Sequence, residues 1–175
     1  NLGALAALGD LYLRTERYQD LLDIYSRQIE LEEDPEVRLQ VSYRRAQVYA
    51  AALQDNERAI EALETIVEEY GVGEAEACAA LEQLYETEAC WQDLARLLER
   101  CVDAGPESDD ELAALKFRLG RVCESQLDDK ARAVELYREV LSIMAEHDGA
   151  RERLEQLLND SDVAPDASRV LEPVY

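Results

Sequence analysis

Four cysteines, one histidine and forty carboxylates are the side chains of this 175-residue sequence that could take part in catalysis or metal binding. Cys78, Cys90, Cys101 and Cys123 stand 12, 11 and 22 residues apart. A zinc site built from local sequence draws its thiolates in closely spaced pairs, completed by histidine. No Cys-x-x-Cys pair exists here and the single His147 lies far from all four, so zinc ligation of that kind is excluded. Three of the four fall on apolar stripes at helical spacing and are expected as small buried hydrophobes. Cys90, beside Trp91 in an apparent turn, is the one expected to be exposed and oxidisable. Unpaired thiols fit a reducing compartment, so a cytoplasmic location is expected.

Paired carboxylates can act as a glycosidase dyad, but a run of acids is more often a solvated helix face. The other markers of an active site are missing, since the sequence has no Gly-rich phosphate loop, no Ser-His pairing and no metal-spaced cluster. The expectation is therefore no enzyme, no cofactor and no metal. His147, among Glu146, Asp148 and Gly149, is expected as a solvated loop residue. The forty acids face 18 bases, a net charge of −22. Nucleic acid and anionic lipid are bound by Lys and Arg displacing counterions, so neither is an expected partner. A basic protein is, with association that is fast and weakens with salt. The longest apolar stretches, such as 4–9 and 48–53, fall far short of the ~20 residues that cross a bilayer. Sixteen arginines against two lysines, with abundant alanine, match the bias expected of a GC-rich genome. The chain opens at Asn1 with no Met and no leader, and reads as a piece of something longer.

The elements that must position these groups come from an internal repeat. Leu8, Leu11, Tyr12, Tyr18, Gln19, Asp20 and Leu21 recur 73 residues later as Leu81, Leu84, Tyr85, Trp91, Gln92, Asp93 and Leu94. One residue is then gained, and Tyr43, Arg44, Val48, Leu53, Asp55, Arg58 and Ala59 meet Phe117, Arg118, Val122, Leu127, Asp129, Arg132 and Ala133. Leu81-Glu82-Gln83-Leu84 returns as Leu154-Glu155-Gln156-Leu157. Such repeats mean units that bury an apolar face only by stacking on neighbours. Between breaks the apolar residues keep helical spacing, as in Leu21, Ile24, Tyr25, Ile29 and in Val134, Tyr137, Val140, Leu141. Asp34-Pro35 reads as a cap with a first-turn proline, and Ser108 to Glu111 as a capping box after Gly105-Pro106. Gly71, Gly73 and Asp148-Gly149 mark further breaks. These signals predict helices near 2–15, 18–32, 36–53, 56–70, 74–88, 91–104, 108–127, 130–146, 149–160 and 163–174.

Two hairpins per 73-residue unit bring the structural period to that of helix–turn–helix solenoids. The residues resemble the tetratricopeptide repeat family. Leu8-Gly9 with Tyr12 and Leu119-Gly120 with Cys123 match the first half of its signature, Ala59 and Ala133 the small residue of the second helix, and Tyr25 and Tyr137 the aromatic place. Leu21 and Leu94 replace the small residue in the alternate hairpins, while Tyr18 and Trp91 open the second helix. The two-hairpin unit with its Trp91-Gln92-Asp93-Leu94 phrase is similar to very long acidic members from myxobacteria and their relatives. The resemblance implies an all-α fold, a right-handed α-solenoid of about five antiparallel hairpins. A single array over 1–175 would place them near 2–33, 35–70, 73–104, 107–146 and 148–175. Leu171 to Tyr175 echoes Leu81 to Tyr85 and reads as a further hairpin cut short, kinked at Pro173.

The resemblance also implies a non-enzymatic scaffold that holds a protein or peptide in a concave groove lined by the first helix of each hairpin. Carried onto this sequence, that groove would present Asp10, Arg14, Tyr43, Gln47, Gln83, Glu86, Phe117, Arg121, Glu124 and Gln156. The Lys/Asn/Arg set with which some members clamp a C-terminal carboxylate is absent. Tyr43 and Phe117 read either as core or as groove anchors, because Leu39, Tyr43, Ala46, Ala50 and Leu53 form an equally good core stripe. Arg44 and Arg118 are expected in solvated ion pairs. The alternative function is a structural spacer with no ligand of its own. Apolar end faces of a cut array would also favour end-to-end self-association.

Overall fold

The computed structural model of this protein describes residues 2–171, and the expected kink at Pro173 and the hairpin cut short at 171–175 lie outside them. Ten α-helices and no strand are found among the described residues. They are α1 (Leu2–Arg14), α2 (Tyr18–Leu31), α3 (Pro35–Gln47), α4 (Asn56–Tyr70), α5 (Ala75–Thr87), α6 (Trp91–Asp103), α7 (Asp109–Ser125), α8 (Lys130–Ile143), α9 (Asp148–Leu157) and α10 (Ala164–Leu171). The chain divides into two compact units, Asn1–Glu88 and Ala89–Tyr175. In the first, α1 packs on α2, α2 on α3, α3 on α4 and α4 on α5. In the second the same nearest-neighbour order runs from α6 to α10, with α8 also touching α10. This is the stacking of an all-α helical repeat protein, in which each hairpin is covered by the next.

Helix starts follow cap chemistry. Asp34 accepts from the Glu36 backbone N–H at 2.9 Å with Pro35 in the first turn, Asp55 from Arg58 at 3.1 Å and Asp129 from Arg132 at 3.1 Å. Each satisfies one of the donors a helix leaves open at its N-terminus. Ser108 accepts from the Glu111 N–H at 3.2 Å. Glu111 returns a carboxylate to the N–H of Glu107, one residue earlier than the expected capping box requires. The turns share a second device, since Glu16, Gln54, Ala89 and Asp128 all sit at φ between 53° and 56°. After α3 the chain widens into one π-helical turn, Val48–Ala52, in which Leu53 N–H donates to the Val48 carbonyl. Leu127 N–H donates to Val122 in the same way, and Asp55 to Tyr49 repeats as Asp129 to Cys123. The expected helix over 36–53 is thus α3 plus this turn.

The core lies on the inner stripes of the helices. Leu21, Ala59, Ile66, Val67, Leu94, Leu98, Val134, Tyr137, Val140 and Leu154 are all at or below 1% exposure. Each large side chain among them contributes roughly 1.5–3 kcal/mol of burial. Cys78 and Cys123 are buried as expected, and burial pushes the Cys123 thiol up to about 11. Cys101 and Cys90 are both half-buried, Cys101 less covered than its stripe implied and Cys90 more so, because it precedes the first turn of α6. The two motif glycines serve helix approach to different degrees. A Cβ at Gly9 would meet Leu21 and Ile24 at 3.6 Å, ordinary contact. At Gly120 it would come within 2.6 Å of the Tyr137 ring.

In the second unit Lys130 on α8 bonds Asp160 at 2.7 Å and so holds the turn between α9 and α10. The hydrogen bond from Lys130 brings the Asp160 carboxyl below its ordinary 3.8, and that to Asp160 raises Lys130 above 10.5. The contribution of Asp160 is complete above its unfolded value and is lost as the pH falls through the lower folded one. That of Lys130 is lost only as the pH rises beyond 10.5. The stability difference between the native chain and Lys130→Met is therefore expected to be constant at neutral pH and to shrink below 3.8, in urea titrations at stepped pH. Gly120→Ala is expected to destabilise by about 1–3 kcal/mol, because the Tyr137 ring is fully buried and its hydroxyl is tied down. Gly9→Ala is expected to be neutral or to gain up to about 1 kcal/mol of helix propensity. Equal melting shifts for the two would show that Gly120 is not held against Tyr137.

Candidate partner-binding site

In the first unit the side of α3 facing α1 and α5 is open. Between α3 and α5 runs a groove of about 290 Å³, walled by Tyr43 and Gln47 on α3 and by Gln83, Leu84 and Thr87 on α5. Its floor is Ala46, Ala50, Ala51 and Ala80 with Leu63 of α4 behind them, and Asn56 closes one end. Alanine at these places is what leaves the space open. A second, wider depression of about 660 Å³ separates α1 from α3, edged by Asp10, Leu13, Tyr18, Tyr25, Arg44 and Val48. Gln47 and Ala51 line both, so the two form one path along the first unit.

Three polar groups on this path are uncommitted. Among the described residues the Asp10 carboxylate, the Arg44 guanidinium and the Gln47 amide have no hydrogen bond or ion pair. The expected ion pair of Arg44 is therefore not formed, because Glu36, the acid that α3 itself carries, lies about two turns back along the helix. Both charges do act on Tyr25, whose phenol is pushed up chiefly by burial, with Arg44 pulling it down and Asp10 adding to the rise. Asn56 donates to Glu88 at 2.7 Å beside the groove end.

The ten residues expected to share one groove are distributed in the structure. Asp10, Tyr43, Gln47 and Gln83 line the path just described. Arg14 and Glu86 are exposed on α1 and α5 outside its lining. In the second unit Arg121 is exposed on α7. Glu124 accepts from the Tyr137 hydroxyl at 2.7 Å and from two nitrogens of Arg153, one at 3.0 Å. Arg153 also donates to Gln156 at 2.7 Å. Glu124 and Gln156 thus belong to a clamp joining α7, α8 and α9. Burial and then Glu124 push the Tyr137 phenol up, and the bonds to Glu124 raise Arg153.

Phe117 is half-buried with its ring 5.7 Å from that of Tyr137 and 4.8 Å from His147. A Cβ at Gly149 would come within 2.9 Å of its ring, so Phe117 lies over the first turn of α9. His147 is accordingly no solvated loop residue. It caps α9, with Nδ1 accepting from the Ala150 N–H at 3.0 Å, and Asp148-Gly149 belongs to the helix instead of breaking it. Arg44, Asn56 and the alanines of the floor belong to the groove in addition to the residues expected there. The recurrence of alanine at 46, 50 and 51, at the end of α3 and in the turn after it, and again at 77, 79 and 80 on α5 was the available signal.

Residues 4–39 and 40–71 each match a family model described as tetratricopeptide repeat. No curated protein matches the sequence. Among solved structures the chain is similar to a Podosopora anserina putative kinesin light chain with nearly identical repeats resembling tetratricopeptide repeats, at 20% identity and a TM-score of 0.56 over 99% of this chain and 92% of that one. It is also similar to MamA, at 16% identity and a TM-score of 0.54 over 99% of this chain and 89% of that one. At these identities the likeness is one of fold.

The clamp of the second unit makes its own prediction. Arg153→Met leaves the mostly buried Glu124 carboxylate with only the Tyr137 hydroxyl and is expected to cost about 2–3 kcal/mol. Tyr137→Phe leaves the ion pair in place and is expected to cost about 1 kcal/mol. Urea denaturation of the two variants measures the order, and a larger loss for Tyr137→Phe would place the weight of the clamp on the phenol.

Proposed function

From the premise that this chain belongs to the tetratricopeptide repeat family through residues 4–71, we propose that it is a non-enzymatic scaffold holding a protein or peptide partner along α1, α3 and α5. The observation that carries this reading is the open path of the first unit, where an alanine floor is bordered by Asp10, Arg44 and Gln47 without partners among the described residues. Polar groups that stay free beside an apolar floor are what a recognition surface offers, since a partner brings them both hydrogen bonds and burial. The partner is basic in this reading. Residues 1–88 hold 20 acids against 7 bases, and such a field speeds the encounter with a cation.

For residues 89–175 a specific observation favours the spacer. Three of the four candidate side chains there are taken up internally, Glu124 and Gln156 by Arg153 and Phe117 by Tyr137 and His147, and Arg121 is the one of the four that stays exposed. The second unit on this reading serves to extend the repeat, and recognition belongs to the first.

Capture from a lysate of the source organism tests the division. The native chain is expected to hold a partner that is lost from Tyr43→Ala/Gln47→Ala at unchanged melting temperature, and retained by Arg121→Ala. Binding is expected to weaken with added salt, as screening shortens the acidic field to about 8 Å at physiological ionic strength. A partner lost with Arg121→Ala and kept by the groove variant would move the site to the second unit.

A further inference from the structure

The path of the first unit has enough definition to specify its occupant. Its deepest part is apolar, with Ala46, Ala50 and Ala80 backed by Leu63 and flanked by Leu84. A volume of about 290 Å³ takes an aliphatic side chain with room for the chain that carries it. The rim is amide, Gln47 on α3 and Gln83 on α5, each offering a carbonyl acceptor and two donors. An α-helix has already satisfied its own main chain and would leave these amides to find side chains. An extended segment presents free N–H and C=O groups every ~3.3 Å, which is what the amides pair with. Toward α1 the same path reaches Asp10, whose carboxylate has no ion pair among the described residues, within a unit of 20 acids and 7 bases. A cation on the segment satisfies that carboxylate. Arg44, a donor only, faces the same stretch and suits a main-chain carbonyl of the segment, whereas an acidic flank would meet the field of the whole unit.

We propose that the groove of α1, α3 and α5 binds an extended peptide segment that carries an aliphatic side chain beside a cationic one, the first seated on the alanine floor and the second paired with Asp10. The inference rests on the groove reading above and adds to it the class of the partner.

The test uses the full chain and an immobilised array of twelve-residue peptides in a Gly/Ser background. Four series carry one central Leu with two Lys, Leu with two Glu, Leu alone, or two Lys without Leu. The Leu/Lys series is expected to bind best, and removal of the Leu to weaken it at least about tenfold, as the loss of one buried aliphatic side chain implies. Ala80→Tyr, which fills the floor, is expected to abolish binding, and Gln83→Ala, on an exposed position, to weaken it. Asp10→Asn is expected to weaken the Leu/Lys series several-fold and to leave the Leu-alone series unchanged. Both floor and rim variants are checked for native helicity and melting. Equal or stronger binding of the Leu/Glu series, or of Lys without Leu, that is still lost in Ala80→Tyr or Gln83→Ala overturns the class and leaves the groove reading standing. Binding insensitive to both variants, or none in any series, overturns both.

Discussion

The fold depends on how closely two helices of a hairpin can approach. In the first hairpin that approach is made at Gly9, where the bare backbone of α1 receives Leu21 and Ile24 of α2. Leu21 stands where the family pattern has a small residue and is nonetheless fully buried, in ordinary contact with the α1 backbone at Gly9. In the hairpin of α7 and α8 the relation is tighter, with Gly120 lying directly under the Tyr137 ring and Ala133 keeping the rest of the interface thin. With the helices this close, each pair presents an apolar back that only the next helix can cover, and the nearest-neighbour stacking of each unit results.

The turns transmit that constraint along the chain. Four residues other than glycine are held near φ 55°, a conformation that disfavours an L side chain by roughly 1–2 kcal/mol. At two of these turns the strain is offset by the cap of the succeeding helix. Directly after Gln54 and Asp128, Asp55 and Asp129 close the helix start, and their own N–H groups reach back to Tyr49 and Cys123. The two turns match in their hydrogen bonding although only one contains a full π-helical turn. Their recurrence at a fixed interval shows that the repeat in sequence is a repeat in backbone geometry.

Equivalence of backbone does not carry over to the side chains that face outward. Tyr43 and Phe117 hold the same place in the repeat, yet Tyr43 borders an open groove while Phe117 is covered by His147 and lies over Gly149. The difference comes from the next helix. α5 presents Ala80 and Gln83 to α3, small and polar. The turn before α9 instead delivers an imidazole that must stay near its own helix to cap it. Gln83 and Gln156 diverge for the same reason, since Gln156 has Arg153 one turn away as a donor.

The sequence by itself determined the all-α class, the helix positions to within a few residues, the caps at Asp34 and Ser108, and most of the core. All of these are local or periodic properties, set by hydrogen bonding and burial within one helix and its immediate neighbour. It also determined the acidic field and excluded zinc ligation by local cysteine pairs. Tertiary structure alone decided which outward residues stay free. Whether Glu124 is a ligand or a structural carboxylate depends on Arg153, 29 residues away on another helix, and whether Arg44 is paired depends on what the helices beside α3 bring within its reach. Helical periodicity says which face a residue occupies. It does not say what the facing helix will bring to meet it, and on that juxtaposition the candidate site rests.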